Sequence, residues 1–130
     1  MIMVKKVDSS SFDDLVLGSG KPTVVKFYSR DCYLCRGLSP VFDTLASKYA
    51  HKLDFYKVDV DEETELSEPY LDGGVPTIQV FYKDVPPVLI EYPEEDKVHP
   101  VTGYAHDYLD QWLYFYLVSF SVLEKRFNNE

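Results

Sequence analysis

The chain contains two cysteines, Cys32 and Cys35, and they lie three positions apart. At this spacing one thiolate can attack an external disulfide, and the second thiol can then resolve the mixed disulfide that forms. The same pair can supply two ligands of a zinc ion, or it can be two buried structural thiols. The residues around the pair decide among these three interpretations.

The elements that flank the cysteines would place them at the start of a helix. Residues 22–29, PTVVKFYS, are rich in β-branched and aromatic side chains and predict a buried strand. Apolar residues at helical spacing then run from Cys32 to about Tyr49, and Pro40 inside this pattern predicts one kinked helix. Unpaired N–H groups and the helix dipole at such an N-terminus stabilise a thiolate at Cys32, with Cys35 one turn later.

The remaining pattern predicts a single α/β domain over residues 1–130. Besides the elements above, we expect a weak strand at 3–8, a short helix at 10–18, a strand at 53–61, a short helix at 62–71, strands at 76–84 and 86–92, a loop at 93–100 and a last helix at about 106–126. The strands at 76–84 and 86–92 are joined by a tight turn and must be antiparallel. Where a helix crosses between strands, we expect parallel pairing.

Composition excludes several classes of function. The net charge of −9 argues against binding through nucleic-acid phosphates or anionic lipids. The longest apolar run, from Trp112 to Leu123, has twelve residues, whereas a membrane-spanning helix needs about 20. The first residues, MIMVKKVDSS, show no secretory pattern. We therefore expect a cytoplasmic protein with no membrane association.

Several motifs together resemble the thioredoxin family. The strand VVKFYS, the Cys32-x-x-Cys35 pair, Pro40, the segment KVDVDE at 57–62 and the segment GGVPT at 73–77 all occur at thioredoxin-like spacing. The strand IQVFYKD and Gly103 match as well. The resemblance implies a thioredoxin fold, in which a central mixed β-sheet is flanked by helices, here with an extended C-terminal helix.

The resemblance also implies a dithiol–disulfide oxidoreductase in which Cys32 is the nucleophile and Cys35 the resolving thiol. Such an enzyme needs no bound cofactor, because its electrons reside in the two cysteines. Its partners would be protein disulfide substrates, with a reductase or glutathione for recycling. In that family the proline of the matching segment follows a cis peptide bond, so the resemblance implies a cis bond before Pro76. It also implies that Val75 offers backbone hydrogen bonds to an extended substrate.

The positions around the cysteines depart from the usual thioredoxin pattern. Asp31 stands where the family usually has Trp, and Tyr33 and Leu34 replace Gly-Pro between the cysteines. At the exposed head of a helix, Tyr33 and Leu34 serve either in local packing or as part of a substrate-docking patch, and we favour the patch. Asp31 would disfavour a thiolate at Cys32, while the nearby arginines, Arg30 and Arg36, would favour it.

Two lysines stand where the family usually has a Lys–acid pair. Lys26 replaces the buried acid, and Lys57 matches the lysine that pairs with it. An ammonium near the cysteines would lower the pKa of the thiol that it faces. Asp59, on the same strand face as Lys57, would partly neutralise the pair. The alternative is that Lys26 is a strand-end side chain that extends to solvent and tunes nothing.

A metal site is not expected. Only two thiols are present, and His51, His99 and His106 lack ligand spacing relative to them.

The last helix suggests a second kind of function. Residues at helical spacing would cover one face of the sheet, namely Leu109, Trp112, Leu113, Tyr116, Leu117, Phe120 and Leu123. Tyr114, Phe115 and Val118 continue the apolar surface around the helix. Packing in the core is the default explanation, and a surface for self-association or partner binding is the alternative. The rival function is therefore a non-enzymatic binding module that uses this helix and the rim around the cysteines.

Overall fold

The structure is a computed structural model, and it describes residues 4–91 and 104–129. Its strands are β1 (Lys5–Lys6), β2 (Thr23–Tyr28), β3 (Asp54–Asp59), β4 (Thr77–Tyr82) and β5 (Val85–Ile90). Its α-helices are α1 (Tyr33–Lys48), α2 (Thr64–Ser67) and α3 (His106–Asn129), with a π-helical turn at Asp13–Leu17 and a 3₁₀ turn at Glu68–Tyr70. The loop predicted at 93–100 and the motif residue Gly103 lie outside the described residues, and the single domain predicted over 1–130 stays a prediction.

The strands form one mixed sheet with the order β1-β3-β2-β4-β5. The pairs β1–β3 and β3–β2 are parallel, whereas β2–β4 and β4–β5 are antiparallel. β2 is therefore the central strand and is buried along most of its length. As predicted, α1 runs through Pro40 as one helix, and it connects the parallel strands β2 and β3.

The prediction of parallel pairing at every helical crossing is wrong between β3 and β4. Both β3 and β2 run in one direction, and β4 pairs with β2 in the other. The four residues of α2 rise only about 6 Å along the helix axis, whereas a strand of six residues spans about 20 Å. Such a short helix does not return the chain to the far edge of the sheet. β4 consequently begins beside the end of β2, next to the cysteines.

Each face of the sheet covers its own hydrophobic cluster. On one face, side chains of β2, β3 and β4 pack with α1 and α3, including Val24, Phe42, Phe55 and Leu113. On the other face, Phe27 and Val58 pack with residues of the π-helical turn and with Tyr70. Lys26, Tyr28 and Lys57 point to the α1 face, because strand side chains alternate between the two faces. Charged residues of β2 and β3 therefore lie beneath α1.

Helix α3 packs much as its spacing predicts, with one exception. Leu109, Leu113 and Phe120 are buried, and Tyr116, Leu117 and Leu123 pack against them at the edge of the core. The spacing predicts Trp112 in the same buried stripe, but Trp112 is 36% exposed, because it stacks on Tyr116 at the outer surface instead of entering the core. Tyr114, Phe115, Val118 and Val122 are exposed as well; with Trp112 we call them the apolar face of α3. No helix in the described part of the chain is long and apolar enough to cross a membrane.

Candidate active site

The two cysteines lie at the N-terminus of α1 and form a disulfide with one another. Cys32 is the N-cap residue, and the backbone N–H of Cys35 donates a hydrogen bond to Cys32 Sγ over 3.1 Å. Cys32 is half-buried, whereas Cys35 lies a turn deeper and is only 3% exposed. In the reduced form, this N–H group and the helix N-terminus would stabilise negative charge on Cys32 Sγ. The geometry thus provides one accessible sulfur and one shielded sulfur.

The segment before β4 borders the accessible sulfur. The Val75–Pro76 peptide bond is cis, the isomer that the sequence resemblance implies. The carbonyl oxygen of Val75 lies 3.8 Å from Cys32 Sγ, so a thiol at Cys32 can donate a hydrogen bond to it. Gly73 and Gly74 both have positive φ, at 75° and 151°, which side-chain-bearing residues rarely adopt. These glycines allow the turn that presents Val75 to the cysteines.

The residues between and before the cysteines lie on the rim of this surface. Tyr33 is 61% exposed, and Leu34 is half-buried beside it. Asp31 is exposed, and its backbone N–H donates to the hydroxyl of Ser29 over 3.4 Å. An exposed aromatic ring next to the accessible sulfur is available for contact with another protein.

Lys26 lies on the α1 face of the sheet and is only 2% exposed. Its Nζ is 5.0 Å from the centre of the Phe42 ring and 5.5 Å from that of Tyr28. Burial lowers the pKa of Lys26 to about 8; the charge of Asp43 opposes this fall, and the charge of Lys57 adds to it. The alternative that Lys26 extends to solvent from a strand end is therefore wrong.

Lys26 and Cys35 line the same cleft, which has a volume of about 210 Å³. The cleft lies between the first turns of α1 and the adjoining ends of β2 and β3. Its lining consists of Lys26, Tyr28, Ser29, Arg30, Cys35, Arg36, Ser39 and Lys57. We call it the cationic cleft, because every charged residue in this lining is a lysine or an arginine. Of the two cysteines, Cys35 is the one that lines this cleft together with Lys26.

Asp59, expected to offset part of the charge of the lysine pair, makes its contacts elsewhere. Its carboxylate is buried, and Oδ1 accepts hydrogen bonds from the backbone N–H groups of Asp61 and Glu62. The other oxygen, Oδ2, lies 3.3 Å from Nε of Arg30. Asp59 is therefore committed to the turn after β3 and to Arg30, and it forms no ion pair with Lys57 among the described residues.

One residue that acts on this site, Asp43, and one contact, that of Arg36 with Arg30, were not identified from the sequence. Asp43 lies two helical turns after Cys35, and its charge reaches Lys26 beneath the helix. Arg36 donates from Nη1 to the backbone carbonyl of Arg30 over 2.9 Å, which holds its guanidinium at the cleft. The helical spacing of Asp43 from Cys35 was a usable signal, but nothing in the sequence indicates the contact between Arg36 and Arg30.

The described residues contain no group of three or more His, Cys, Asp or Glu side chains that could hold a metal ion.

Comparison with known proteins assigns the family. The family model described as Thioredoxin matches residues 3–101. A thioredoxin of Borreliella burgdorferi is 34% identical over 95 residues, which are 72% of this chain and 81% of the relative. A chloroplastic M-type thioredoxin of Pisum sativum is 38% identical over 81 residues, or 62% of this chain and 46% of the relative. This chain belongs to the thioredoxin family, and its mixed sheet with flanking helices is the thioredoxin fold.

A protein disulfide-isomerase of Neurospora crassa is also similar, with 44% identity over 75 residues. The match covers 55% of this chain and 20% of that relative. The chain therefore spans less than half of the length of the pea and fungal relatives. The cysteine pair and the segment before β4 both lie inside the part of the chain that the family model matches.

Proposed function

We propose that this protein is a dithiol–disulfide oxidoreductase of thioredoxin type. The observation that carries the proposal is the disulfide at the N-terminus of α1, with one accessible and one shielded sulfur beside Val75. Membership of the thioredoxin family and similarity to a protein disulfide-isomerase support it.

In the proposed reaction, the Cys32 thiolate attacks one sulfur of a substrate disulfide. A Cys32–substrate disulfide forms, and the other substrate sulfur leaves as a thiolate. The Cys35 thiolate then attacks Cys32 Sγ, which releases the second substrate sulfur and forms the Cys32–Cys35 disulfide. The substrate gains two electrons and the protein loses two. A reductase or glutathione would return the protein to its dithiol form, and no bound cofactor is required.

The surface around Cys32 would hold the substrate. Tyr33 and Leu34 supply an apolar rim at the head of α1, and Pro76 shapes the opposite wall. Val75 would offer its backbone groups to an extended substrate segment, in the manner of an added strand. Asp31, Lys26 and Lys57 are the charged residues proposed to tune the two thiols. The expected substrates are protein disulfides, while the cytoplasmic location stays a prediction.

Insulin reduction driven by dithiothreitol tests the activity directly. We expect wild-type protein to accelerate it, Cys32→Ser to abolish the acceleration, and Cys35→Ser to accumulate mixed disulfides that remain on Cys32. Iodoacetamide should modify Cys32 before Cys35 in the reduced protein, as peptide mapping would show. Wild-type activity no greater than that of Cys32→Ser, or preferential labelling of Cys35, would contradict the assigned roles.

The second candidate function is that of a non-enzymatic binding module. The apolar face of α3 favours it, because Tyr114 is 61% exposed and Phe115 is 54% exposed. Self-association through the same face is a related proposal. The insulin assay separates these candidates from the enzyme, since a binding module would show no acceleration in any variant.

A further inference from the structure

The cationic cleft holds positive charge that the described part of the protein does not balance. Arg30 is largely compensated, because it pairs with Asp59 at 3.3 Å and with Glu62 at 3.8 Å and is mostly exposed. In contrast, no described carboxylate lies within ion-pair distance of Lys26, Lys57 or Arg36. Within residues 4–91 and 104–129, three cations of one cleft thus form no ion pair, and only the more distant charge of Asp43 opposes that of Lys26.

The burial of Lys26 makes this imbalance energetically important. A buried ammonium is costly unless it is paired, because it has lost its hydration. With a pKa of about 8, Lys26 is still mostly protonated at neutral pH. Its Nζ contacts the rings of Phe42 and Tyr28, and the charge of Asp43 reaches it without forming an ion pair among the described residues; these are weak partners compared with a bound anion. An anion entering the cleft would offset this cost.

The shape and donors of the cleft favour an oxyanion over a simple halide. Its volume of about 210 Å³ is several times the roughly 30 Å³ that one water molecule occupies in the liquid. The guanidinium of Arg36 presents paired N–H groups that match two oxygens of one anion. The hydroxyls of Ser29 and Ser39 also line the cleft and can donate further hydrogen bonds.

We propose that the cationic cleft is a binding site for a small oxyanion of the sulfate, phosphate or carboxylate type, held by Lys26, Lys57 and Arg36. The site goes beyond the proposed oxidoreductase activity, because binding requires only the cleft and not a reactive dithiol. Since Cys35 lines the same cleft, a bound anion would lie next to the resolving sulfur. The negative charge would then oppose thiolate formation at Cys35.

Binding should depend on pH through Lys26. The titratable or charged groups that face it are Tyr28 on β2, Arg30 after β2, Lys57 and Asp59 on β3, and Cys35, Arg36 and Asp43 on α1. In the oxidised protein Cys35 does not titrate, so the disulfide form isolates the lysine. Affinity should therefore be high below about pH 8 and fall as pH rises through that value.

Calorimetric titration of sulfate into the oxidised full-length protein tests the proposal, at constant ionic strength with sodium chloride. Sulfate keeps its charge across the pH range, so any pH dependence belongs to the protein. We expect saturable binding to one site and a loss of affinity between pH 7 and pH 9. Lys26→Met and Arg36→Gln should each weaken binding roughly tenfold or more, as expected for the loss of a charged hydrogen-bond partner.

Two further arms make the result decisive. Lys52→Met removes an exposed lysine beyond the other end of α1, and it should leave sulfate affinity unchanged. A parallel titration with acetate shows whether the site prefers a planar carboxylate or a tetrahedral oxyanion. Binding of either anion supports the site if it depends on Lys26 and Arg36 in the same way. Arg36 is exposed, so Arg36→Gln keeps the test valid if Lys26→Met fails to fold. The proposal is overturned if neither anion saturates, or if Arg36→Gln binds as wild type does.

In the reduced Cys32→Ser variant, Cys35 is the remaining thiol. Saturating sulfate should raise the pH at which its thiolate absorbance appears, because binding and ionisation are reciprocally coupled. Sodium chloride of equal ionic strength is the control. A midpoint that sulfate does not move would overturn the placement of the anion beside Cys35.

Discussion

At its C-terminal end, α1 places a cation in a complete network of partners. Lys48 Nζ lies 2.6 Å from Oδ2 of Asp110 on α3, and the hydroxyl of Tyr49 donates to Oδ1 of the same carboxylate. At its N-terminal end, the same helix covers Lys26, which has no ion-pair partner among the described residues. One helix thus carries a compensated charge at one end and an uncompensated charge at the other.

The ion pair between Lys48 and Asp110 contributes to stability, whereas the unpaired charge of Lys26 can act on the thiol of Cys35. Between α1 and α3, opposite charges and a buried hydroxyl satisfy one another and fix the two helices together. Beside Cys35, the positive charge remains available to whatever negative charge forms or binds there, whether a thiolate or an anion. The unpaired charge of Lys26 lowers the stability of the folded state. Variants at the two ends should therefore change stability in opposite directions.

The largest effect is expected from Lys26→Met. The fall in the pKa of Lys26 from 10.5 to about 8 corresponds to about 3 kcal/mol that the folded protein loses at pH 7. Met has a similar length and no charge, so the variant should be more stable by up to about this amount. Urea denaturation at pH 7 measures the change, with Lys52→Met as the matched control.

The pH dependence gives this first prediction its sign. Below about pH 8 the folded lysine is charged, and the full cost is present. Between about 8 and 10.5 the folded state releases its proton while the unfolded state keeps it, so the cost disappears with rising pH. The advantage of Lys26→Met should therefore shrink across this range. An advantage that is absent at pH 7 would contradict the account of an uncompensated charge.

The next largest effect is expected from Asp110→Ala at the opposite end of α1. This change removes the partner of Lys48 and leaves the Tyr49 hydroxyl with only its 3.4 Å contact to the Asp110 carbonyl. A buried donor that loses its acceptor costs about 1–3 kcal/mol, so the variant should be less stable by about 2 kcal/mol. Thermal and urea denaturation measure it, with the exposed Glu124→Ala on the same helix as control.

The same network should weaken in acid. Burial raises the pKa of Asp110, but the hydrogen bonds from Lys48 and Tyr49 and the charge of Lys48 outweigh it, so the net pKa lies below 3.8. The stability that the carboxylate contributes is therefore complete above pH 3.8 and is lost as pH falls through the lowered pKa. The difference between wild type and Asp110→Ala should narrow in that range. An unchanged difference would contradict the ion-pair interpretation.

The smallest effect is expected on the thiols. If Lys26 stabilises a thiolate at Cys35, Lys26→Met should raise the pH midpoint of thiolate formation. We expect a shift of about one unit or less, which corresponds to about 1.4 kcal/mol or less. The less stable thiolate would also make the protein more reducing. Thiolate absorbance and equilibration with glutathione measure the two changes, again against Lys52→Met. A midpoint and a potential equal to those of wild type would show that Lys26 does not act on Cys35.

Local pattern determined most of the elements and the place of the cysteines. β2, α1 and β4 follow from β-branched runs and helical spacing, and Cys32 falls at a helix N-terminus because the apolar period begins there. Val75 and Pro76 were identified by motif rather than by contact. These features depend on residues that are close in the chain. The spacing of apolar residues and the residue types at turns therefore predict them directly.

Tertiary structure alone decided how the charges are distributed. The sequence placed Asp59 and Lys57 on one strand face, but Asp59 pairs with Arg30 and with two backbone N–H groups. The sequence is compatible with a buried Lys26 and with a Lys26 that extends to solvent. Only the packing beneath α1 shows that the side chain is buried. The partner of a long charged side chain depends on which elements pack against one another, and spacing along the chain does not specify that packing. The sequence by itself therefore determined most of the elements and the position of the cysteine pair, whereas the packing of β2, β3 and α1 decided which charges form no ion pair among the described residues.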